Sequence, residues 1–379
     1  MRDRPSIMNA PMTGTKALDA LTALFAKRGL TRSEPPILQP AETFLDLTGE
    51  DIRRRLFFVQ GPDGRELCLR PDFTIPVSRA HLASDAGLPA GYCYLGPVFR
   101  HRGEDVSGEF LQAGIERFGD ADREAADADV VAFALEAAGM AGRADMAVRL
   151  GDPGLVMDFV AALDLPAPWP RRIRAAFGRA GGFAEALEAP SPVNDGRTPF
   201  LAALGRSDPE AARAAVEEMA SVAGIAPLGG RTPEEIAERL LEQARLAADG
   251  GLEDRAREVL TRLSKVAGSP DTAAGELRDI ARDAGLDVAR SLDAFARRND
   301  LMAERGVPLS GIDFSAVFGR RLDYYTGFVF EILDPAAPET PAIGGGRYDL
   351  LLSMLGAPAP VPAVGCSIWI DRLIGDERS

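Results

Sequence analysis

Residues 344–349 read GGGRYD and residues 320–325 read RRLDYY, and these two stretches say more about the chain than any others. Consecutive glycines allow a backbone to pass close to a ligand, although a glycine run by itself is more often a turn. The adjacent arginines place positive charge at the entrance of a predicted strand, and a planar guanidinium group suits a carboxylate or a phosphate. Tyr325 can stack on a flat ring while its hydroxyl group makes a hydrogen bond.

A second group of polar residues lies upstream, on two apolar segments that are predicted to pair as antiparallel strands. Residues 109–116 read EFLQAGIE, in which Gln112, Gly114 and Glu116 alternate and therefore share one face of a strand. Arg100 ends the preceding segment. Burying a glutamine and a glutamate is costly unless they are paired, so this face is suited to a small polar ligand. The alternative is an exposed polar face on an edge hairpin.

Asp72 and Thr74 follow another predicted strand, in the segment LRPDFT at residues 69–74. The carboxylate could hold an ammonium group, and the hydroxyl group adds an acceptor. A turn carboxylate and a helix-capping threonine would explain the same two residues without a ligand. Towards the C-terminus, Arg372 lies on a largely apolar predicted helix, where it either pairs internally or reaches a cleft.

Strand-like segments lie in the two ends of the chain, and Ala-rich helical segments lie between them. This pattern predicts an α+β fold, with an antiparallel sheet flanked by helices and interrupted by a helical insertion. We expect residues 1–120 and 311–379 to form the two parts of the core, and residues 121–310 to form a helical linker or insertion.

The composition argues against several classes of function. The formal net charge is −14, from 57 acidic and 43 basic residues, which disfavours a large nucleic-acid footprint. With three cysteines outside any CxxC pattern and two histidines, no zinc-site spacing occurs, and no cofactor is predicted. The sequence contains no apolar run of about 18 residues and no signal-peptide pattern, so we expect a cytoplasmic protein that does not cross a membrane.

The order and spacing of these motifs resemble the catalytic domain of the class II aminoacyl-tRNA synthetases, specifically the histidyl type. Pro36 resembles the proline of that family's first motif, which forms the dimer, and Arg372 resembles the arginine of its third motif. The resemblance implies self-association as a dimer. It also implies a histidine pocket built from nine residues: Asp72, Thr74, Arg100, Gln112, Glu116, Arg320, Tyr324, Tyr325 and Tyr348.

By the same resemblance, each end of a bound histidine has its own partners. Asp72, where the family has glutamate, and Thr74 would hold the α-amino group. Gln112 and Glu116 would sit near the amino and ring ends, and Arg320 would approach the carboxylate. Tyr325 and Tyr348 would contact the imidazole ring.

Three departures from the synthetase pattern point away from tRNA charging. Arg102 stands where the family has a glutamate that helps to hold ATP. The loop before Glu109 is shorter than in the synthetases, and Gly108 replaces an arginine. Because the sequence ends at Ser379, we also expect no anticodon-binding domain.

This combination resembles the regulatory subunits of short-form ATP phosphoribosyltransferase, the enzyme that opens histidine biosynthesis. The resemblance implies a non-catalytic protein that a separate catalytic subunit needs for activity, with L-histidine as a feedback effector. His81 and His101 are expected at loop and surface positions, so no catalytic residue is assigned. The alternative is an active synthetase-like ligase that adenylates histidine or another amino acid, which the retained Arg320 and Arg372 keep open.

Overall fold

The computed structural model describes residues 14–47, 54–84, 86–102, 108–166, 168–179, 181–188, 210, 214, 218–219, 252–320 and 324–375. Its contacts divide the chain into two compact units. The first comprises residues 1–155, 266–279 and 289–379, and the second comprises residues 156–265 and 280–288. The three-part domain division expected from the sequence stays a prediction.

Twelve helices, one of them a single turn, are defined within the described residues. They are α1 (Gly14–Lys27), α2 (Ala41–Leu47), α3 (Thr74–Leu82), α4 (Arg123–Met140), α5 (Pro153–Ala162), α6 (Pro168–Arg174), α7 (Gly182–Leu187), α8 (Asp254–Leu263), α9 (Pro270–Ala284), α10 (Ala289–Glu304), α11 (Leu351–Met354) and α12 (Ile370–Ile374). A 3-10 turn spans Leu309–Gly311.

The strands of the described residues are β1 (Thr31–Arg32), β2 (Leu38–Pro40), β3 (Phe58–Gln60), β4 (Glu66–Leu69), β5 (Ala90–Phe99), β6 (Glu109–Phe118), β7 (Ala147–Gly151), β8 (Ala267–Gly268), β9 (Ile312–Ser315), β10 (Val329–Leu333), β11 (Ile343–Arg347) and β12 (Ala363–Trp369). Nine of them form one sheet in the order β1-β5-β6-β12-β11-β10-β7-β9-β8, and the other three form a small sheet in the order β2-β4-β3.

The large sheet confirms the predicted α+β class, with one correction at its edges. The five central strands pair antiparallel, as expected from the hairpin of β5 and β6. However, β1 pairs with β5 in parallel, and so does β7 with β9, which makes the sheet mixed. Two neighbouring parallel strands need a crossover connection between them. In each of these two pairs, a long stretch of chain separates the two strands. Local sequence patterns do not reveal such pairings.

Helix α4 lies against β10, β11 and β12, and a buried ion network joins it to β11. The Arg347 guanidinium group donates to Asp127 Oδ1 on α4 at 2.6 Å and to Asp349 Oδ1 at 2.8 Å. Arg298 on α10 lies 3.7 Å from Asp127 and donates to Asp152 Oδ2 at 2.6 Å. Charged groups buried in this way are strongly unfavourable unless they are paired, and this network pairs the buried Arg347 at the end of β11.

The small sheet turns one apolar face outwards. Leu67 and Leu69 alternate with the fully buried Cys68, so they point away from the core. Leu38 pairs with Leu69 and is 47% exposed. Leu67 pairs with Val59 of β3 on one side and with Pro40 of β2 on the other. We call Leu38, Pro40, Val59, Leu67 and Leu69 the outer face of the small sheet.

The described part of the second unit is helical, with Trp169 and Ile173 of α6 fully buried. Arg257 of α8 donates to the carbonyl oxygen of Leu187 at the end of α7, over 2.8 Å. The helices predicted between residues 190 and 250 lie outside the described residues, apart from four single positions there. Among the described residues, no helix is long and apolar enough to cross a membrane.

Candidate functional site

One face of the large sheet carries the polar residues singled out from the sequence. Gln112, Gly114 and Glu116 alternate along β6, and the register aligns them with Gly96, Tyr94 and Tyr92 of β5. On the other side they align with Trp369, Ser367 and Gly365 of β12. This confirms that the three β6 residues share a face. Gln112 and Glu116 are buried, so this is not an exposed edge hairpin.

Glu116 is the centre of the site. Its Oε1 accepts hydrogen bonds from the Thr74 hydroxyl group at 2.7 Å and from the Tyr94 hydroxyl group at 3.3 Å. Its Oε2 accepts a hydrogen bond from the Tyr348 hydroxyl group. Burial raises the pKa of Glu116 to about 8, against the opposing effect of these donors. At neutral pH the folded protein therefore holds Glu116 largely as the protonated carboxyl group.

Glycines make the room in which these side chains lie. A Cβ atom on Gly365 would lie 1.8 Å from Glu116 Oε2, and one on Gly114 would lie 2.3 Å from the Tyr94 hydroxyl oxygen. A Cβ atom on Gly344 would lie 1.5 Å from Arg320 Nη1. The glycine run at residues 344–346 is thus not a turn. It lies in strand β11, and Gly344 leaves space for the Arg320 guanidinium group.

Three of the buried side chains have polar atoms without a hydrogen-bond partner among the described residues. They are Asp72 Oδ2, both amide atoms of Gln112, and Arg320 Nε. Asp72 is 2% exposed and Gln112 is fully buried. Leaving such groups unpaired is unfavourable, so a carboxylate, an amide and a guanidinium group in one site favour a ligand that pairs with them.

Tyr324, Tyr325 and Tyr348 form an aromatic cluster beside Glu116. The ring centroids of Tyr324 and Tyr348 lie 5.8 Å apart in an edge-to-face arrangement, and those of Tyr324 and Tyr325 lie 5.1 Å apart. Burial raises the pKa of Tyr325 to about 12 and that of Tyr348 well above its usual range. All three rings remain neutral hydrogen-bond donors, which suits contact with a flat polar ring.

Arg100 directly follows β5, and its charge interacts with that of Asp72. Its Nε donates to the carbonyl oxygen of Pro71 at 2.6 Å. Burial raises the pKa of Asp72, and the positive charge of Arg100 opposes that rise. Burial also lowers the pKa of Arg100, and the charge of Asp72 opposes this in turn. The two groups therefore stabilise each other's charged forms.

The sequence interpretation missed Tyr94, which is as central as Glu116. Its hydroxyl group bonds Ser367 Oγ at 3.0 Å as well as Glu116, and its ring stacks on Phe73 with centroids 4.5 Å apart. The only available signal was its position opposite Gly114 in the predicted hairpin.

The position of His81 was predicted wrongly. It is buried in α3, where its Nδ1 bonds the Tyr92 hydroxyl group at 2.9 Å, whereas His101 is exposed as expected.

Parts of two motifs fall outside the described residues: residues 321–323 of RRLDYY, and residues 103–107 of the shortened loop. Among the described residues, no group of three or more His, Cys, Asp or Glu side chains is arranged to hold a metal ion. The nine predicted site residues all lie in the first unit, and their roles towards a ligand stay predictions.

Two groups of known proteins share this sequence pattern. The family model described as Histidyl-tRNA synthetase matches residues 13–237 and 236–373. The ATP phosphoribosyltransferase regulatory subunit of Brucella canis is 44% identical over 346 residues, covering 90% of this chain and 91% of that protein. The protein of the same name from Mesorhizobium japonicum is 43% identical over 358 residues, covering 93% and 95%.

Solved structures show the same fold. An ATP phosphoribosyltransferase regulatory subunit/histidyl-tRNA synthetase from Bacillus halodurans has a TM-score of 0.66 at 21% identity, covering all of this chain and 84% of that one. The histidyl-tRNA synthetase of a Nostoc species has a TM-score of 0.63 at 17% identity, covering 99% of this chain and 75% of that one.

Proposed function

This chain belongs to the family of ATP phosphoribosyltransferase regulatory subunits, which have a histidyl-tRNA synthetase-like fold, and we propose that it activates a separate short-form catalytic subunit and carries histidine feedback to it. The observation that carries the proposal is the buried polar site around Glu116, in which Asp72 Oδ2 and both amide atoms of Gln112 have no hydrogen-bond partner among the described residues. The reaction itself, the joining of ATP to phosphoribosyl pyrophosphate, belongs to the partner.

L-Histidine matches the chemistry of this pocket from end to end. Asp72 and Thr74 suit the α-amino group, because a carboxylate attracts an ammonium group and a hydroxyl oxygen accepts from it. Arg320 suits the α-carboxylate, with its guanidinium group held in the space above Gly344. Gln112 and Glu116 suit the amino and ring ends of the ligand, and the tyrosine cluster would flank the imidazole ring. Arg100 and Tyr324 support this arrangement from its edges.

Feedback by histidine requires that the ligand distinguish two states of the assembly. Histidine lowers activity only by binding the less active state more tightly than the active one. A coupling free energy of about 1–3 kcal/mol between the histidine site and the partner's active site would change activity roughly 5- to 150-fold. Pairing the unpartnered atoms of Asp72 and Gln112 in one state alone is a physical source of such a difference.

The chain performs no adenylation in this proposal. The relatives at 43–44% identity are named regulatory subunits, which favours this function over the ligase alternative. Histidine-dependent exchange of pyrophosphate into ATP separates the two. Exchange by the purified chain would contradict a purely regulatory role. Absence of exchange would exclude the alternative that the chain is an active ligase.

We also propose that two copies of the chain associate through the outer face of the small sheet. That face is wholly apolar and partly exposed, and Leu38 is 47% exposed. The resemblance of Pro36 to the dimer-forming motif supports this proposal, because Pro36 lies two residues before Leu38. We expect the protein in the cytoplasm, since Cys68, Cys93 and Cys366 are unpaired thiols, as is usual in a reducing compartment.

Reconstitution with a short-form catalytic subunit tests the proposed function. We expect phosphoribosyl transfer to require this chain and to decline as histidine is added. With Glu116→Ala, activation should persist while the histidine concentration needed for inhibition rises at least about tenfold, equivalent to 1.4 kcal/mol. A catalytic subunit that is equally active without this chain would overturn the proposal.

A further inference from the structure

The face that carries Glu116 continues along β6 to a second aromatic surface. Phe110 lies on the same side of β6 as Gln112 and Glu116, opposite Val98 of β5. Arg100 lies with its guanidinium carbon 5.9 Å from the Phe110 ring centroid. An aromatic ring at the end of a polar, cationic pocket is the kind of surface on which a nucleobase stacks.

That surface is already occupied by the chain itself. The Arg102 guanidinium carbon lies 3.7 Å from the Phe110 ring centroid, which is stacking distance. Arg102 Nη1 also donates to Asp371 Oδ2 of α12 at 3.2 Å, so the guanidinium group is fixed from two sides. The Arg102 side chain is only 19% exposed. A flat ring cannot reach this face of Phe110 while Arg102 remains there.

The backbone around Arg102 is fixed as well. The Arg100 amide donates to the carbonyl oxygen of Gly108 at 2.8 Å, and the His101 amide donates to that of Arg55 at 2.9 Å. Gly108 is part of this arrangement, because a Cβ atom there would lie 2.6 Å from Cζ of Phe57. The glycine lets the Phe57 ring pack against this segment. Arg102 is therefore held in place by its neighbours.

We propose that Arg102 closes the far end of the pocket by taking the place of a nucleobase, so that the site accepts a free amino acid but not a nucleotide. This inference deepens the proposed function and rests on it, because it explains how a synthetase-like pocket becomes a sensor of an amino acid alone. Arg102 acts here as a specificity-determining residue, with Asp371 as its anchor.

Direct titration of ATP, with and without Mg²⁺, into the purified full chain tests the inference. The variants are Arg102→Ala and Arg102→Glu, with Arg65→Ala on the exposed hairpin turn as the matched control. We expect no saturation by millimolar ATP in the wild type and the control, and an increase in ATP affinity of about tenfold or more in both Arg102 variants. Asp371→Ala, which frees Arg102 from its anchor, should change ATP affinity in the same direction and serves if the Arg102 variants do not fold.

ATP binding by the wild type would overturn the inference, and so would variants that are folded by circular dichroism yet still exclude ATP. Histidine is titrated into the same samples. Loss of histidine binding throughout would count against the proposed function, whereas the ATP result judges the role of Arg102 separately. Together the two titrations identify which of the two proposals fails.

Discussion

The Tyr348 hydroxyl group donates a hydrogen bond to Glu116, a residue 232 positions earlier in the chain. The two meet because β12 lies between β6 and β11, and Gly365 of β12 leaves room for the Glu116 carboxyl group. The contact brings the N-terminal third and the C-terminal part of the chain together in one buried site. The donor on Tyr348 also lowers the pKa of Glu116, against the larger effect of burial, which raises it.

The raised pKa of Glu116 predicts a specific dependence of stability on pH. The folded protein keeps this proton up to a pKa of about 8, whereas the unfolded chain loses it near 4.5. Between these values the folded state binds more protons, so the free energy of unfolding falls as pH rises, by at most about 1.4 kcal/mol per pH unit. Glu116→Gln lacks this term, so its stability relative to the wild type should increase from pH 5 to 8 and level off above.

Urea denaturation at several pH values measures this difference. Glu66→Gln, on an exposed position of β4, serves as the control for replacing a surface carboxyl group. Parallel pH profiles for the wild type and Glu116→Gln would show that burial does not raise the pKa of this carboxyl group.

Tyr348→Phe tests the hydrogen bond itself. The change removes one hydroxyl group and leaves Glu116 Oε2 without that donor, at a cost of about 1–3 kcal/mol when the acceptor stays buried. We expect the dissociation constant of histidine to rise about tenfold or more. Tyr92→Phe removes a hydroxyl group that bonds His81 instead, and should change that constant less than about twofold. Equal effects of the two variants in calorimetry would contradict the assigned role.

Gly344→Ala should separate binding from folding. The new Cβ atom would displace the Arg320 guanidinium group, which is the end of a flexible side chain and can move without unfolding the protein. We therefore expect a near-wild-type thermal midpoint but at least about a tenfold loss of histidine affinity. Gly275→Ala in α9, where the space is open, is the control and should gain about 0.5–1 kcal/mol with unchanged affinity. Wild-type affinity in Gly344→Ala would exclude Arg320 from the carboxylate site.

Asp127→Asn should be the most destabilising of these changes. It removes the charge that pairs with Arg347 in the buried network and so leaves a buried guanidinium group partly uncompensated. Breaking such a pair costs about 3–5 kcal/mol, which guanidinium chloride denaturation would detect as a lower midpoint. The same substitution at Asp63, whose partner Arg65 is exposed on a turn, should leave the midpoint unchanged. Similar midpoints for both variants would show that the network is dispensable.

Leu38→Asp tests the proposed self-association. Leu38 lies on the edge strand β2, and a charge there would be buried unpaired in a dimer formed through the outer face. The variant should therefore sediment as a monomer while the wild type sediments as a dimer. Leu350→Asp, at a similarly exposed position of the same first unit but away from the small sheet, is the control and should not change the sedimentation coefficient. A wild-type chain that sediments as a monomer would contradict the proposed self-association.

Local patterns predicted much of this architecture but not the contacts that join its parts. Alternation along β6 was enough to place Gln112 and Glu116 on one face. The pairing of Arg347 with Asp127 spans 220 residues, and no periodicity reports it. Tyr94 was missed because its role depends on the strand register, and the parallel edge pairs were missed because their connections are long.

Calorimetric titration of L-histidine into this chain alone tests the central claim, that the Glu116 pocket is a histidine site. We expect saturable binding by the wild type, at least about tenfold weaker binding by Glu116→Ala, and unchanged binding by Glu66→Ala. Absence of binding to the wild-type chain would contradict it and would move the histidine site to the interface with the catalytic subunit.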